Sequence, residues 1–470
     1  VGTLSGFKAD PGSFRDPLSK VFVGEDAVYR AFTDLGKEDI DAVWAKSFIQ
    51  KWLKRGDLIA TDFVSPVSAP IEGDWAAVMR HPKLPFISYP YEWTFSMLQD
   101  AALLQLKLTR TALKQGVGVK DATPYNVQFV GSKPVFIDAG SFEMRKEADP
   151  WYGYLQFCEL YLYPLMMQAY LGVGFQPFLR GSVNGINPAT MRKLLGPGRP
   201  WARRRGRLTN VVLHAMAQKR FADSDLEVKK EASAAGLNPK VLIATMEKLS
   251  ATIKKMSLHD KQSTWSEYSD RGHYVESSLD EKETFVRDAV AQRHRKQVWD
   301  LGCNDGRFSR IAAAHSDSVV AADADPLVVD RLYNALKVEK NDRILPLYVD
   351  LADSGGGVGW RGKERSGFFD RGNPEVVLYL AVIHHMAITY NVPLAAQIDM
   401  LATLTPELVI EFPHREDPMV QRLLRNKREG IHGDYALPVF EKLLSERFEI
   451  RSSRLLDGGT RTIFHGVRRG

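Results

Sequence analysis

The chain has 470 residues, of which 44% are hydrophobic and 26% charged, and a formal net charge of +6. This length exceeds that of an ordinary domain with one hydrophobic core, so it predicts at least two domains. The composition is typical of a globular protein. Two cysteines are too few for a disulfide-stapled secreted protein, and no apolar run reaches the roughly 18 residues of a membrane span. We therefore expect a cytoplasmic protein without a membrane span.

The sequence pattern of the N-terminal half predicts a small set of strands followed by a helix. Residues 20–32 predict a hairpin. The run over 96–115 is rich in Leu and Ala and predicts a long helix.

Three polar residues follow this helix at a distinctive spacing. Asp121 precedes Asn126 by five residues, and Asp138 comes twelve residues after Asn126, on a predicted loop and hairpin. The arrangement resembles the catalytic loop of protein-kinase-like folds, especially the aminoglycoside-phosphotransferase and lipopolysaccharide-kinase branch. The resemblance implies an α+β domain in which Asp121 would be the base, while Asn126 and Asp138 would hold magnesium. A coincidental spacing is the least favoured explanation.

This half departs from the kinase-like pattern in three places. No glycine-rich loop precedes the strands, and the strand that would carry the ATP-pairing lysine offers only Arg30. Val119-Lys120 replaces the histidine before the catalytic acid. The leading interpretation is a kinase-like domain over residues 1–225 that is not catalytic. An active kinase that uses Mg-ATP at the three polar residues is the alternative.

The middle of the chain is basic and then helical. The run Arg199–Arg207 follows Gly196-Pro197-Gly198, so it predicts a loop. Such a run is more often solvated, but it could contact phosphates of nucleic acid or anionic lipid. Apolar residues at helical spacing predict a helix near 230–256, and we interpret residues 226–265 as a helical linker.

The most informative stretch covers residues 298–309. An apolar run ends in Asp300, and a turn that contains Gly302 and Gly306 leads into a predicted helix. Asn304 lies between the glycines and is among the few other residues that tolerate a left-handed backbone. The pattern predicts a strand that leads into a ligand-binding turn at the carboxyl edge of a parallel sheet.

Two more acids end the next two predicted strands. Asp323 lies 23 residues after Asp300, where nucleotide-binding units place an acid on the ribose hydroxyls. Asp350 closes the following apolar run. The turn lacks the glycine spacing of a dinucleotide site and the Lys-Ser/Thr of a phosphate loop, and Asp305 within it disfavours a pyrophosphate. A site for a cationic ligand with a ribose explains the three acids better than three unrelated acidic surface turns would.

Residues 260–470 resemble the class I S-adenosylmethionine-dependent methyltransferases. The family's first motif, D-x-G-x-G-x-G, is matched by Asp300, Gly302 and Gly306, with Asn304 in place of the middle glycine. The resemblance implies an α/β fold with a Rossmann-like sheet of seven strands. It also implies S-adenosyl-L-methionine as the cofactor.

The resemblance assigns roles along the predicted crevice. Asp323 would bind the ribose hydroxyls, and Asp350 would lie near the adenine amino group. No metal ligand is expected. The implied cofactor-binding residues are Asp300, Gly302, Asn304, Asp305, Gly306, Asp323, Ala324, Asp350, Leu351 and Leu380.

Two adjacent histidines are the candidate catalytic residues. The fourth predicted strand, over 376–381, runs into His384 and His385. If the acceptor is a hydroxyl, a base assists the reaction, and imidazole titrates near neutral pH. Because adjacent residues after a strand point to opposite sides, we expect only one of them to reach the acceptor. His273 and His414 are weaker candidates.

The end of the chain completes the predicted sheet. Residues 408–412 predict a fifth strand, and residues 446–467 predict a final hairpin with the antiparallel seventh strand that is usual for the family. Trp265, Tyr268 and Tyr274 precede the glycine turn, where they either cover the cofactor or pack against the flank of the domain.

Together these motifs predict methyl transfer by a domain over residues 266–470. The acceptor atom would be an oxygen or nitrogen of a small or medium-sized molecule, such as a natural product or saccharide, which the kinase-like half would help to bind. A bifunctional kinase–methyltransferase, a nucleic-acid methyltransferase that uses Arg199–Arg207, and a non-catalytic scaffold are the alternatives. The order of the two halves is similar to that of bacterial nodulation-type methyltransferases.

Overall fold

The structure is a computed structural model, and the description covers most of the chain. The described residues are 6–145, 151–196, 239–258, 276–428 and 430–470. The basic run Arg199–Arg207 lies outside them, and so do His273, Trp265, Tyr268 and Tyr274. None of the helices within these ranges is both long and apolar enough to cross a bilayer.

The described residues fall into two compact units. The first unit takes those within residues 1–129, 134–261 and 357–366. The second unit takes those within residues 130–133, 262–356 and 367–470. The chain therefore passes between the units more than once.

The first unit begins with an antiparallel sheet of five strands. The strands are Lys8–Ala9, Ser19–Val23, Ala27–Phe32, Asp62–Val64 and Ala77–Pro82, named β1 to β5. They lie in the order β1-β2-β3-β5-β4. Strands β2 and β3 form the hairpin predicted over residues 20–32, with Val21 opposite Arg30. Helices Asp34–Trp44 (α1) and Ser47–Arg55 (α2) lie between β3 and β4.

A long helix and two short hairpin-like pairs follow the sheet. Helix Phe95–Leu113 (α3) begins after Thr94, whose side chain accepts a hydrogen bond from the Met97 amide, and it matches the helix predicted over 96–115. The next strands are Val117–Val119 (β6), Val127–Val130 (β7), Lys133–Phe136 (β8) and Phe142–Met144 (β9). Strand β6 pairs with β9, and β7 pairs with β8.

The remaining described part of the first unit is helical. Its helices are Tyr154–Phe157 (α4), Tyr163–Leu171 (α5), Gln176–Gly181 (α6), Pro188–Leu195 (α7) and Pro239–Lys254 (α8), with a π-helical turn at Cys158–Leu162. Helix α8 differs from the predicted linker because it packs within this unit. It buries Leu242, Met246 and Leu249, and Gln99 of α3 donates to the carbonyls of Ile253 and Met256 at 2.7 and 3.0 Å.

The second unit alternates strands with helices around one sheet. Its strands are Arg295–Leu301 (β10), Ser316–Asp323 (β11), Ile344–Tyr348 (β12), Val376–Tyr379 (β13), Glu407–Pro413 (β14), Phe448–Leu455 (β15) and Arg461–Arg468 (β16). Its helices are Glu276–Val290 (α9), Arg307–Ala313 (α10), Pro326–Glu339 (α11), Leu394–Leu404 (α12), Pro418–Leu424 (α13) and Leu437–Arg447 (α14), with a π-helical turn at His385–Thr389.

The sheet of the second unit has seven strands in the order β12-β11-β10-β13-β14-β16-β15. Strands β10 to β14 are parallel, and β16 runs antiparallel to both of its neighbours. Parallel strands are buried on both faces, which explains their continuous apolar runs. The chain order reverses between β10 and β13. Ligands of such sheets bind outside the carboxyl ends of the strands at this reversal.

Candidate functional site

The turn after β10 has the left-handed backbone that its residues predict. Gly302, Asn304 and Gly306 have φ angles of 86°, 47° and 77°. A Cβ atom at Gly302 would overlap the Val382 side chain, so the residue must be glycine for space as well as for conformation. Asn304 adopts the left-handed conformation where the methyltransferase motif has glycine, which confirms that asparagine is accommodated there.

Asp323 is tied to this turn by its carboxylate. Oδ2 accepts a hydrogen bond from the Asn304 amide at 2.9 Å, and Oδ1 accepts one from the Asp325 amide at 2.9 Å. Burial raises the pKa of Asp323, and the backbone donors oppose that shift. A carboxylate has about four acceptor positions, so the oriented group can still accept a hydrogen bond from a ligand hydroxyl.

Asp300 lies beneath the turn rather than at its surface. It is 1% exposed, and its Oδ2 accepts a hydrogen bond from the Ser309 hydroxyl of α10 at 2.6 Å. Burial raises the pKa of Asp300 to about 7, while Ser309 and the charge of Lys282 act in the opposite direction. The carboxyl group therefore joins β10 to α10 below the turn. Asp305, in contrast, is exposed.

The other predicted cofactor residues line the same edge. Asp323 lies opposite Tyr348 in the sheet register, so Asp350 follows two residues beyond that pair. Asp350 accepts a hydrogen bond from the Ala352 amide at 2.9 Å and starts a short 3-10 turn. Of the remaining predicted residues, Ala324 is exposed, Leu351 half-buried and Leu380 buried.

The two histidines do not diverge as predicted. The ring centroids of His384 and His385 lie 4.0 Å apart, so both rings occupy one region. The rule of alternating sides fails because the strand has already ended: Ala381 has a φ of 56°, and His385 opens a π-helical turn. His384 is fully buried, and neither of its ring nitrogens has a hydrogen-bond partner among the described residues. His385 is only partly buried.

Both imidazoles are held neutral. Burial lowers the pKa of His384 well below its usual value, and the neighbouring His385 and the charges of Arg461 and Lys282 lower it further. Burial and the charge of Arg461 lower the pKa of His385 to about 4. The neutral rings do not repel a cationic ligand. The expectation of an imidazole that titrates near neutral pH is wrong for this pair, because burial makes both rings weak bases. His414 instead contacts the Thr462 hydroxyl at 2.8 Å.

A buried ionic network was not predicted from the sequence. Lys282 of α9 forms an ion pair with Glu411 of β14, and Arg461 of β16 lies 3.1 Å from the other Glu411 oxygen. Arg461 also pairs with Asp417 at 2.7 Å. The available signal was Glu411 itself, because a carboxylate inside a buried apolar strand requires a charged partner. The identity of that partner, 129 residues away, has no local signature.

The polar residues predicted in the first unit also come together. Asn126 Nδ2 donates to Asp138 Oδ2 at 3.1 Å, and the Arg30 guanidinium lies 2.9 Å from Asp138 Oδ1. Burial raises the pKa of Asp121, and the charge of Asp138 raises it further. The Asp138 carboxylate, which a kinase-like site would use for magnesium, is therefore engaged by an arginine and an asparagine.

The fold and the acidic crevice define the second unit as a Rossmann-like α/β domain. No protein-family model matches the chain. The chain is 33% identical over 456 residues to nodulation protein NoeA of Rhizobium meliloti (strain 1021), covering 96% of this chain and 94% of that protein. The chain belongs to the family of this nodulation protein.

Two solved structures with a similar fold each match less than half of the chain. The N-methyltransferase NodS of Bradyrhizobium japonicum WM9 is 13% identical, covers 42% of this chain and 98% of its own, and has a TM-score of 0.31. Magnesium protoporphyrin IX methyltransferase of Synechocystis PCC 6803, with bound S-adenosylhomocysteine, is 20% identical, covers 41% of this chain and 85% of its own, and has a TM-score of 0.30.

Proposed function

We propose that the second unit binds S-adenosyl-L-methionine and transfers its methyl group to an oxygen or nitrogen of a small or medium-sized acceptor. One observation carries this proposal: the left-handed turn with Asn304 is hydrogen-bonded to Asp323 at the reversal of strand order. A third acid, Asp350, follows the next strand. The arrangement suits a ligand with a ribose and a positive charge, because it offers acceptors for hydroxyls and a negative potential.

The described residues fit this cofactor. Asp323 would accept hydrogen bonds from the ribose hydroxyls, since two backbone amides already fix its orientation. Asp350 would lie beside the adenine, and Gly302 would allow the close approach of the ligand to the backbone. When bound, S-adenosylmethionine supplies an activated methyl group and carries the reactivity itself.

The histidine pair supplies the remaining chemistry in this proposal. His385 is partly exposed and neutral at physiological pH, so it can accept the proton that a hydroxyl acceptor loses once methylation makes that proton strongly acidic. His384 packs against it and supports its ring. The ionic network of Lys282, Glu411 and Arg461 favours neutral imidazoles through its positive charges.

Calorimetric titration with S-adenosylhomocysteine tests this function. Asp323→Ala is expected to weaken binding at least tenfold, which corresponds to about 1.4 kcal/mol. Asp317→Ala is the matched control, because Asp317 is an exposed acid at the opposite end of the same strand. Absence of binding by the unmodified chain, or equal affinity in both variants, would contradict the proposal.

For the first unit we propose a kinase-like domain that binds the acceptor without phosphorylating it. The order of its elements supports the kinase-like fold. A small sheet is followed by helix α3, the Asp121–Asn126 loop and a hairpin before Asp138. Arg30 at Asp138 disfavours magnesium there, because a guanidinium and a dication compete for one carboxylate. The bifunctional alternative predicts a thermal shift with Mg-ATP that Asp138→Asn removes, whereas our proposal predicts no shift.

A further inference from the structure

The segment that follows strand β13 folds over the glycine turn. Residues 382–390, here named the β13 turn, begin with Val382, whose side chain occupies the space that a Cβ atom at Gly302 would need. Ala381 and Asn391 flank the β13 turn, and both have a left-handed backbone, with φ angles of 56° and 57°. Alanine is strained in this conformation, and strained residues concentrate at ligand-binding and catalytic sites. The β13 turn is therefore a candidate ligand contact.

Backbone hydrogen bonds fix the shape of the β13 turn. The Tyr390 amide donates to the His385 carbonyl at 3.3 Å, and the Val392 amide donates to the Met386 carbonyl at 3.0 Å. Gln397 of helix α12 then donates from Nε2 to the Val392 carbonyl at 3.0 Å. The first of these bonds closes the π-helical turn, a form that is rare in proteins and often found at functional sites. The backbone that carries Tyr390 is thus held on both sides.

Tyr390 ends the β13 turn with an exposed aromatic ring. The residue is 49% exposed, and it is the one exposed aromatic residue among the described residues of the second unit. A tyrosine has only two side-chain torsions, so a ring on a fixed backbone loses little entropy when it binds a ligand. Burial of its face by a planar ligand therefore favours the complex.

The carboxylate of Asp350 lies within electrostatic range of Tyr390. Asp350 follows β12 and Tyr390 follows β13, and these parallel strands end at one edge of the sheet with β11 and β10 between them. Three strand spacings correspond to about 14 Å. Partial burial raises the pKa of Tyr390, and the charge of Asp350 raises it further. The β13 turn therefore extends from the histidine pair toward the acid that follows β12, past the ends of the strands that carry the glycine turn and Asp323.

We propose that Tyr390 is a cofactor-binding residue whose ring covers one face of the adenine beside Asp350. Asp350 meets the polar edge of the base and Tyr390 its apolar face, so the two residues select an adenine nucleoside through different contacts. An aromatic ring stacks on a base without directional hydrogen bonds, so this contact does not depend on the phenol hydroxyl. The inference rests on the proposed function, because that function places the adenosyl group in this crevice.

Calorimetry on the full chain measures what the ring contributes to affinity. Tyr390→Ala is expected to weaken binding of S-adenosylhomocysteine about fivefold or more, at the lower end of the effect of removing a stacked aromatic ring. Tyr390→Phe is expected to bind within about twofold of the unmodified chain, because the ring remains. Tyr152→Ala is the matched control, since Tyr152 is also exposed but lies in the first unit. An unchanged urea midpoint of Tyr390→Ala shows that its fold is intact.

Hydroxyl-radical footprinting with mass spectrometry locates the ring in the unmodified chain. Saturating S-adenosylhomocysteine is expected to slow oxidation of Tyr390 about threefold or more, because a stacked base covers one face of the ring, and to leave Tyr152 unchanged. If the unmodified chain binds the ligand but Tyr390→Ala binds it equally well, or oxidation of Tyr390 is undiminished, the inference is wrong while the proposed function stands. If the unmodified chain does not bind the ligand, the proposed function fails and the inference fails with it.

Discussion

The Asn304 amide donates to Oδ2 of Asp323 across 2.9 Å, and this bond joins the ends of two parallel strands. It couples the left-handed turn after β10 to the acid that ends β11. A ligand hydroxyl on Asp323 therefore meets a carboxylate whose orientation is already set, so binding loses little further side-chain entropy. The candidate site depends more on this relationship than on any single glycine.

Substitutions at Asn304 test the requirement for a left-handed backbone. Asn304→Gly is expected to keep affinity for S-adenosylhomocysteine within about twofold, because glycine adopts a φ near 47° without cost and retains the amide donor. Asn304→Val is expected to lower the free energy of unfolding by about 1–2 kcal/mol, the cost of that conformation for an L-residue. Denaturant unfolding and calorimetry measure the two effects. Equal behaviour of both variants would contradict a conformational role.

Asp300 gives a prediction about pH. Its pKa is raised to about 7 in the folded chain, so the folded state holds a proton that the unfolded state releases. The resulting stability is fully present below the unfolded pKa near 4 and is lost as pH rises through 7. The unmodified chain should therefore lose stability relative to Asp300→Asn between pH 4 and 8, on the order of 4 kcal/mol. Denaturant unfolding over this range without ligand measures it, and a constant difference would contradict it.

The network around Glu411 predicts a strong dependence on its partners. Lys282→Met leaves a buried carboxylate with one cation instead of two and is expected to destabilise the second unit by about 3 kcal/mol. The double variant Lys282→Met with Glu411→Gln is expected to cost less than the sum of the single variants, because no carboxylate remains without its lysine. Unfolding monitored by a probe in the second unit measures the cycle, and strict additivity would contradict a direct pair.

Substitution of His384 is expected to change the free energy of unfolding unusually little for a buried residue. Neither ring nitrogen has a partner among the described residues, so His384→Leu removes no hydrogen bond within that part of the chain. Its free energy of unfolding is expected to stay within about 1 kcal/mol of the unmodified chain, since an unsatisfied buried polar group is removed. A loss above about 2 kcal/mol in thermal or denaturant unfolding would show that the ring has an essential partner.

Sequence patterns predicted those features of the site that depend on residues close together in the chain. The acid at the end of β10, the left-handed Asn304 and the antiparallel final hairpin all follow from residue type and spacing within one segment. The position of Asp323 at the end of the next parallel strand was also predicted, from its spacing of 23 residues after Asp300.

The unpredicted parts join segments that are far apart in the sequence. The Arg15 guanidinium pairs with Glu364, which lies 349 residues away in the sequence, and nothing around either residue indicates the other. The histidine rings lie together because the strand ends early and Ala381 then has a left-handed backbone. Alanine rarely adopts that conformation, so the residue type does not predict it. Helix α8 was predicted, but its packing on α3 depends on tertiary contacts that the helical pattern alone does not determine.

A crystal structure of the full chain with S-adenosylhomocysteine shows directly whether this crevice holds the cofactor. We expect the ribose hydroxyls within hydrogen-bonding distance of Asp323 and the adenine beside Asp350. We also expect the sulfur to face the partly exposed ring of His385. A ligand bound elsewhere, or a ribose with no contact to Asp323, would contradict the assignment of this crevice as the methyl-transfer site.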